Sequence, residues 1–308
     1  MRMKSVPACL AGVILVTGLV GTATAAGFSN KLLATGGVST VEGSAGGGLA
    51  TWALIAGYGT DEQLGATVHA TGVNLDDYEL RSYGVAIGIF DRVELSFARQ
   101  KFNTQSVLSN GLGAPALQNY KLEQDVFGIK VRLLGDAIYD QDSWMPQIAV
   151  GIQYKDNKDD TVIPFLNGAL GSNIKDSGTD FYIAATKLYL DQSVLVNATL
   201  RLTKANQFGL LGFEGPDGDS YQPEFEGSIA YLLRKDLAVG AEIRTKRGNL
   251  DNPGLNLSED NAYDVFVAYF PTKNISITAA YVDLGQIVGA LTQNDSQRGG
   301  FLSLQLGF

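Results

Sequence analysis

Gly299-Gly-Phe-Leu-Ser-Leu-Gln-Leu-Gly-Phe308 closes the chain, and its reading decides the fold. Leu302, Leu304, Leu306 and Phe308 fall at every second position, with Ser303, Gln305 and Gly307 between them. A period of two describes a strand with one apolar and one polar face. Domains usually end in a frayed polar tail. An aromatic in the last position needs an apolar surface to meet.

The other end points the same way. Met1-Arg-Met-Lys-Ser5 carries two positive charges, an apolar run extends from Ala8 to Val20, and Gly21-Thr-Ala-Thr-Ala-Ala26 offers small residues spaced for cleavage. This is the layout of a secretory signal peptide. The run is short for a membrane-spanning helix. Residues 1–26 are therefore expected to be a cleaved signal, and 27–308 the mature protein. Cys9, the chain's one cysteine, falls inside the signal, so the mature chain is expected to hold no disulfide and no thiolate metal site. Loss of Arg2 and Lys4 takes the net charge from −9 to −11. Phosphate contacts need Lys and Arg, so no nucleic-acid partner is expected.

Alternation continues inward from the last strand. Ile275, Ile277, Ala279 and Tyr281 flank Ser276, Thr278 and Ala280; Leu237, Val239, Ala241 and Ile243 flank Ala238, Gly240 and Glu242. Val194, Val196, Ala198, Leu200 and Leu202 flank Asn197, Thr199 and Arg201; Leu64, Ala66, Val68 and Ala70 flank Gly65, Thr67 and His69. No window of comparable length reads better as an amphipathic helix. A soluble sandwich also alternates, so two further features matter. The stretches are long, about 10 residues, as a tilted membrane strand requires. Their ends carry Trp52, Tyr58, Tyr83, Tyr154, Tyr231, Tyr263, Tyr269, Phe270 and Tyr281, as expected of interfacial aromatic girdles.

Strands are expected near 48–57, 63–72, 78–89, 92–102, 120–134, 145–155, 179–190, 193–203, 221–233, 237–247, 260–270, 274–285 and 298–308. Connectors near Phe90-Asp-Arg92, Asp191-Gln192, Arg234-Lys-Asp236 and Pro271-Thr-Lys273 are tight, and Asp136–Ser143 is moderate. Those near 103–119, 156–178, 204–220, 248–259 and 286–297 are long. Strict alternation of the two kinds is expected of a barrel with short periplasmic turns and long extracellular loops. The expected fold is all-β: a transmembrane antiparallel up-and-down β-barrel. Parity asks for one more ascending strand, which Lys31-Leu-Leu-Ala-Thr-Gly-Gly-Val38 can supply, for 14 strands. The alternative is 12 strands with residues 27–47 as an N-terminal plug; Val41-Glu-Gly-Ser-Ala-Gly-Gly-Gly48 is glycine-rich enough for that.

The candidate functional residues are the lumen-facing charges Glu94, Lys130, Arg132, Lys187, Arg201, Glu226, Glu242 and Arg244. Mixed charge across a lumen can filter solutes as a constriction. It can equally fill a narrow barrel with ion pairs. His69, the one histidine, has no nucleophile motif or local carboxylate beside it, so a lumen-wall role is expected over catalysis. The acidic clusters Asp156–Asp160, Glu214–Asp219 and Glu259-Asp260 match no calcium-loop spacing. No cofactor, metal or enzymatic activity is expected.

An alternating last strand that ends on an aromatic resembles the final strand of bacterial outer-membrane barrels. There the terminal residue is read by the barrel-assembly machinery, a role the resemblance extends to Phe308. Over residues 28–308 the chain resembles a proteobacterial family of predicted outer-membrane proteins that carries a domain-of-unknown-function label. The residues that carry this are Lys31-Leu-Leu-Ala-Thr-Gly-Gly-Val-Ser39, Glu42-Gly-Ser-Ala-Gly-Gly-Gly-Leu49 with Trp52, and the Tyr58-Gly-Thr60 turn. The resemblance implies a barrel in the Gram-negative outer membrane, in contact with its lipid and lipopolysaccharide, and no substrate. A porin-like channel for small solutes is the expected function. A structural or surface-interaction barrel with a filled lumen is the alternative, and an outer-membrane hydrolase the minor one.

Overall fold

A strand that closes a sheet on itself leaves no unpaired edge, and in lipid no edge can be left unpaired. In the computed structural model the last alternating stretch does this. The structure describes residues 31, 35–250, 257, 259–292 and 295–308; the expected signal lies outside the described residues. A small hairpin, β1 (Val38–Ser39) and β2 (Ala45–Gly46), precedes the wall. The wall strands are β3 (Leu64–Leu75), β4 (Glu79–Ile89), β5 (Val93–Asn103), β6 (Lys121–Leu134), β7 (Gln147–Asn157) and β8 (Ser177–Tyr189). They continue as β9 (Val194–Thr203), β10 (Gln222–Arg234), β11 (Leu237–Arg244), β12 (Ala262–Thr272), β13 (Ile275–Asp283) and β14 (Arg298–Gly307). Each pairs antiparallel with its sequence neighbours, and β14 pairs with β3, Leu304 opposite Ala70 and Phe301 opposite Val73.

The result is a closed barrel of twelve strands. Its outer face is apolar: Val68, Ile129, Ile152, Leu200, Ile229, Val265 and Leu302 are all exposed. Tyr83, Tyr154, Phe181, Tyr263 and Tyr281 ring the exterior in the long-loop half, and Tyr189, Tyr231, Tyr269 and Phe308 ring it near the short turns. An apolar band between aromatic rings is the exterior of a transmembrane barrel. Three of the expected girdle residues are elsewhere. Phe270 points inward, and Trp52 and Tyr58 lie inside the barrel, all three buried.

Fourteen strands are not formed; the twelve-stranded alternative with a plug is. The stretch 48–57 is not a wall strand, and residues 35–58 are buried along their whole length. The reason is visible in the residues. Leu49 and Ile55 occupy one parity of 48–57, Trp52 and Leu54 the other. A wall strand must turn one face to lipid and offer the other to a polar lumen, and this segment has no polar face. Inside the barrel it is covered on every side.

The connectors depart from strict alternation in one place. The turn between β3 and β4, residues 76–78, is short yet lies at the end where the other connectors are long. Among the described residues those long loops hold two α-helices, α1 (Val107–Gly111) and α2 (Val162–Leu170). At the opposite end, Phe90 and Asp91 have φ of 53° and 48°. Positive φ at both central residues is what a type I′ hairpin turn requires.

Candidate functional site: a plugged lumen

The plug enters and leaves at the short-turn end. Lys31 Nζ lies 2.5 Å from Asp91 Oδ1 in the β4–β5 turn. Arg132 shares Asp91 and also holds the Gly135 carbonyl and Asp136. Lys187 donates to the carbonyls of Asp136, Asp140 (2.6 Å) and Met145. Two of the eight candidate charges, Arg132 and Lys187, therefore brace the moderate turn after β6.

The next level is a clamp. Lys130 Nζ lies 3.0 Å from Glu94 and donates to the carbonyls of Leu54 (2.8 Å) and Ala45 (3.2 Å). Glu94 accepts from the backbone amides of Ala56 (2.9 Å) and Ala45 (3.3 Å). The plug's two limbs are thus held by one buried ion pair. The glycine-rich segment has few polar side chains of its own, so wall side chains satisfy its backbone groups, which would otherwise be costly to bury. Thr186 Oγ1 accepts from the Ala53 amide, Gln147 donates to the Ala53 carbonyl, and Thr199 donates to the Thr51 carbonyl. Trp52 Nε1 donates to Ser228 Oγ at 2.8 Å.

Above the clamp lies a charged layer. Glu226 accepts from the Thr51 amide at 2.7 Å and from Arg201 Nε at 2.5 Å. Glu242 accepts from the Leu49 amide at 2.8 Å and from Ser228 Oγ. Glu42, at the plug tip, meets Lys155 at 2.6 Å and Arg244 at 3.1 Å, with Arg201 at 3.8 Å. Burial pushes the Glu42 carboxyl up. Arg244, Lys155 and Arg201 outweigh that and hold it well below the usual carboxylate range. Arg201 also reaches Asp180 (3.3 Å), which pairs with Lys155 at 2.8 Å.

A loop closes the lumen from the other side. Residues 204–213, between β9 and β10, fold inward. Phe208 gives its carbonyl to Lys155 and Gln124, both at 3.2 Å, and Asn157 holds the carbonyls of Gly209 and Leu210. The Phe208 ring lies 4.3 Å from the Arg244 guanidinium and 5.3 Å from Lys246 Nζ. Gln207 and Phe208 have φ of 46° and 60°, a left-handed backbone these contacts must hold in place.

Six of the eight candidate charges, Glu94, Lys130, Arg201, Glu226, Glu242 and Arg244, meet the plug or its neighbours in the lumen. Their partners Glu42, Lys155 and Asp180 are additions from the structure. Lys155 has the parity of Gly151 and Gln153, and Asp180 that of Tyr182 and Ala184, so period two could have found both. His69 Nε2 lies 3.3 Å from Ser82 Oγ, but that hydroxyl donates to the Val41 carbonyl at 2.7 Å. The Val41 carbonyl of the plug thus engages the hydroxyl beside His69. Of the acidic loop residues, Glu214 pairs with Lys175 and Lys204, and Asp159 accepts from Tyr120 and from the Ile163 amide at the start of α2.

A closed antiparallel wall with an apolar exterior, and a polar lumen occupied by its own N-terminal segment, defines a plugged transmembrane β-barrel. The chain belongs to the family described as Protein of unknown function (DUF3034), whose profile matches residues 35–305. That span takes in the plug as well as the wall. No curated protein matches the sequence. Among solved structures the chain is similar to the NanC porin, with a TM-score of 0.49 and 11% identity over 78% of this chain and 98% of that one. It is similar to the KdgM porin at 0.48 and 10%, over 79% and 99%. It is also similar to the COG4313 outer membrane channel from Pseudomonas putida F1 at 0.45 and 11%, over 79% and 94%.

Proposed function

We propose that this protein is a porin-like barrel of the Gram-negative outer membrane, closed at rest, that passes small solutes when its N-terminal plug shifts. The short turns then face the periplasm and the long loops the outside, as in barrels of this kind. One observation carries the reading: alongside the apolar packing of Leu49, Trp52 and Leu54, polar side chains of the wall satisfy backbone groups of the plug from Ala45 to Ala56. Such bonds exchange for bonds to water with a net change of only about 1 kcal/mol each. Buried ion pairs add little stability over apolar replacements, so the charged layer around the plug is not needed for stability alone. Glu94, Lys130, Arg201, Glu226, Glu242 and Arg244 then serve the closed state around the plug, and those left lining the wall after the shift serve as the constriction.

A filled, non-conducting barrel is the second reading, favoured by the complete burial of the plug. A disulfide lock separates the two. The Ala53 amide lies 2.8 Å from Thr186 Oγ1, so Ala53→Cys with Thr186→Cys is within bridging reach. In planar bilayers the reduced variant is expected to give conductance steps that oxidation silences and reductant restores. Silence of both the wild type and the reduced variant would establish the filled barrel instead. Steps that persist in the crosslinked protein would show that the plug is not the gate.

A further inference from the structure

At the extracellular end the barrel stops being polar. Between α1, α2 and the loop after β13 lies a cavity of about 240 Å³, lined by Leu108, Leu122, Phe165, Leu166 and Leu291 among others. Among the described residues, none that lines it is charged. A narrower apolar gap, sharing Phe102, Leu122, Leu211 and Ile287 with the cavity, continues down to Val41 and Leu49 on the plug.

Of the polar residues in the lining, Thr104 and Thr161 bond Tyr120 and Asp160, and Tyr78 points to a ligand. Tyr78, in the short turn between β3 and β4, is 2% exposed and stacks on Phe102 with ring centroids 5.0 Å apart. Its hydroxyl is buried and has no hydrogen-bond partner among the described residues. Burial, with Asp77 beside it, keeps that hydroxyl protonated by raising its pKa. A buried hydroxyl left unbonded is costly, and a molecule occupying the cavity can relieve it.

We infer that this cavity binds an uncharged, mostly apolar small molecule whose single hydrogen-bonding group is met by the Tyr78 hydroxyl. The absence of lining charge sets the class, since an ion there would lose its hydration and gain no partner. Size sets the scale: an engineered apolar cavity of about 150 Å³ takes benzene, so this one has room for on the order of ten non-hydrogen atoms. The narrower gap places the occupant next to the plug, in line with the channel. The inference names a ligand class for the proposed channel and rests on that reading for which side of the membrane the cavity faces. It does not rest on conduction.

The test is binding of 1-naphthol to the full barrel in detergent, followed by the probe's fluorescence, with 1-naphthoate as the anionic counterpart. Saturable binding of 1-naphthol is expected, and 1-naphthoate should bind at least about tenfold more weakly. Tyr78→Phe should weaken 1-naphthol about fivefold, the worth of one neutral hydrogen bond. Leu166→Trp should abolish binding by filling the space. Heat-modifiable migration reports whether each variant has folded, and if Leu166→Trp has not, Tyr78→Phe decides alone. Unchanged binding in Tyr78→Phe, or equal affinity for the two probes, overturns the inference. A barrel that never conducts yet binds 1-naphthol in this pattern would sink the channel reading and leave this one standing.

Discussion

Lys130 and Glu94 form a buried ion pair on adjacent strands, Nζ to Oε1 3.0 Å, and between them bond both limbs of the segment that fills the barrel. Each charge has plug backbone as its second partner, so wall and plug are coupled through this pair.

Lys130→Met strands a buried carboxylate and should destabilise the folded barrel by about 3–5 kcal/mol. Lys130→Met with Glu94→Gln removes both charges and should recover most of that loss. Denaturant unfolding of the wild type, both single variants and the double, compared as a cycle, checks this. If the single and double variants lose equal stability, the pair is not the coupling element.

Acid should release the plug tip. The Glu42 carboxyl, buried but surrounded by Arg244, Lys155 and Arg201, sits below its ordinary value of 4.5. A depressed folded value means the charged form contributes stability above the unfolded value, and that contribution is lost as pH falls through the folded one. Protection of the Val41 and Gly43 amides, which flank Glu42 and donate to the Gly48 and Thr40 carbonyls, should hold from about pH 8 to about pH 5, corrected for intrinsic exchange, and fall in stronger acid. In Glu42→Gln the acid step should vanish, and protection should be lower even near neutrality because Lys155, Arg201 and Arg244 each lose one of their carboxylate partners.

The plug's exit depends on a glycine. Gly57 has φ of +80°, and a Cβ there would lie 2.4 Å from the Ala66 amide nitrogen, a backbone atom that cannot swing aside. Gly57→Ala should cost on the order of 1–3 kcal/mol and lower the yield of heat-modifiable barrel. Gly113, also at positive φ (+61°) but with open space around it, is the control. Gly113→Ala should cost less, since only backbone strain is added.

Phe308 should have separable roles. Its amide donates to the Ala66 carbonyl, and its carbonyl accepts from the amides of Ala66 and Tyr58. Its ring is 59% exposed. Phe308→Ala keeps the backbone bonds, so the folded barrel should be nearly as stable in vitro while assembly in cells falls. Deleting Phe308 should lower both. Equal assembly of Phe308→Ala and wild type would remove the ring from any recognition role.

Twelve wall strands were legible because period two persists wherever one face meets lipid and the other the lumen. Glu94, Lys130, Arg201, Glu226, Glu242 and Arg244 could be placed inside from that parity alone. Residues 48–57 also read as a strand, because Leu49 to Ala56 are apolar and extended. Strand-like composition does not say whether a segment joins the wall or is surrounded by it. The apolar cavity had no signal to read: Tyr78, Leu108, Phe165 and Leu291 sit in separate connectors with no shared period.

By itself the sequence determined a transmembrane barrel, the course of its twelve wall strands and the inward parity of charges such as Glu94 and Lys130, since each follows from local alternation and from connector length. Only the tertiary structure decided that the lumen is filled, that Glu94 and Lys130 answer to the plug rather than to solvent, and that Tyr78 faces an apolar cavity. Those facts depend on which distant segments share the interior, and that is settled by unmatched backbone groups and charges finding partners across the barrel.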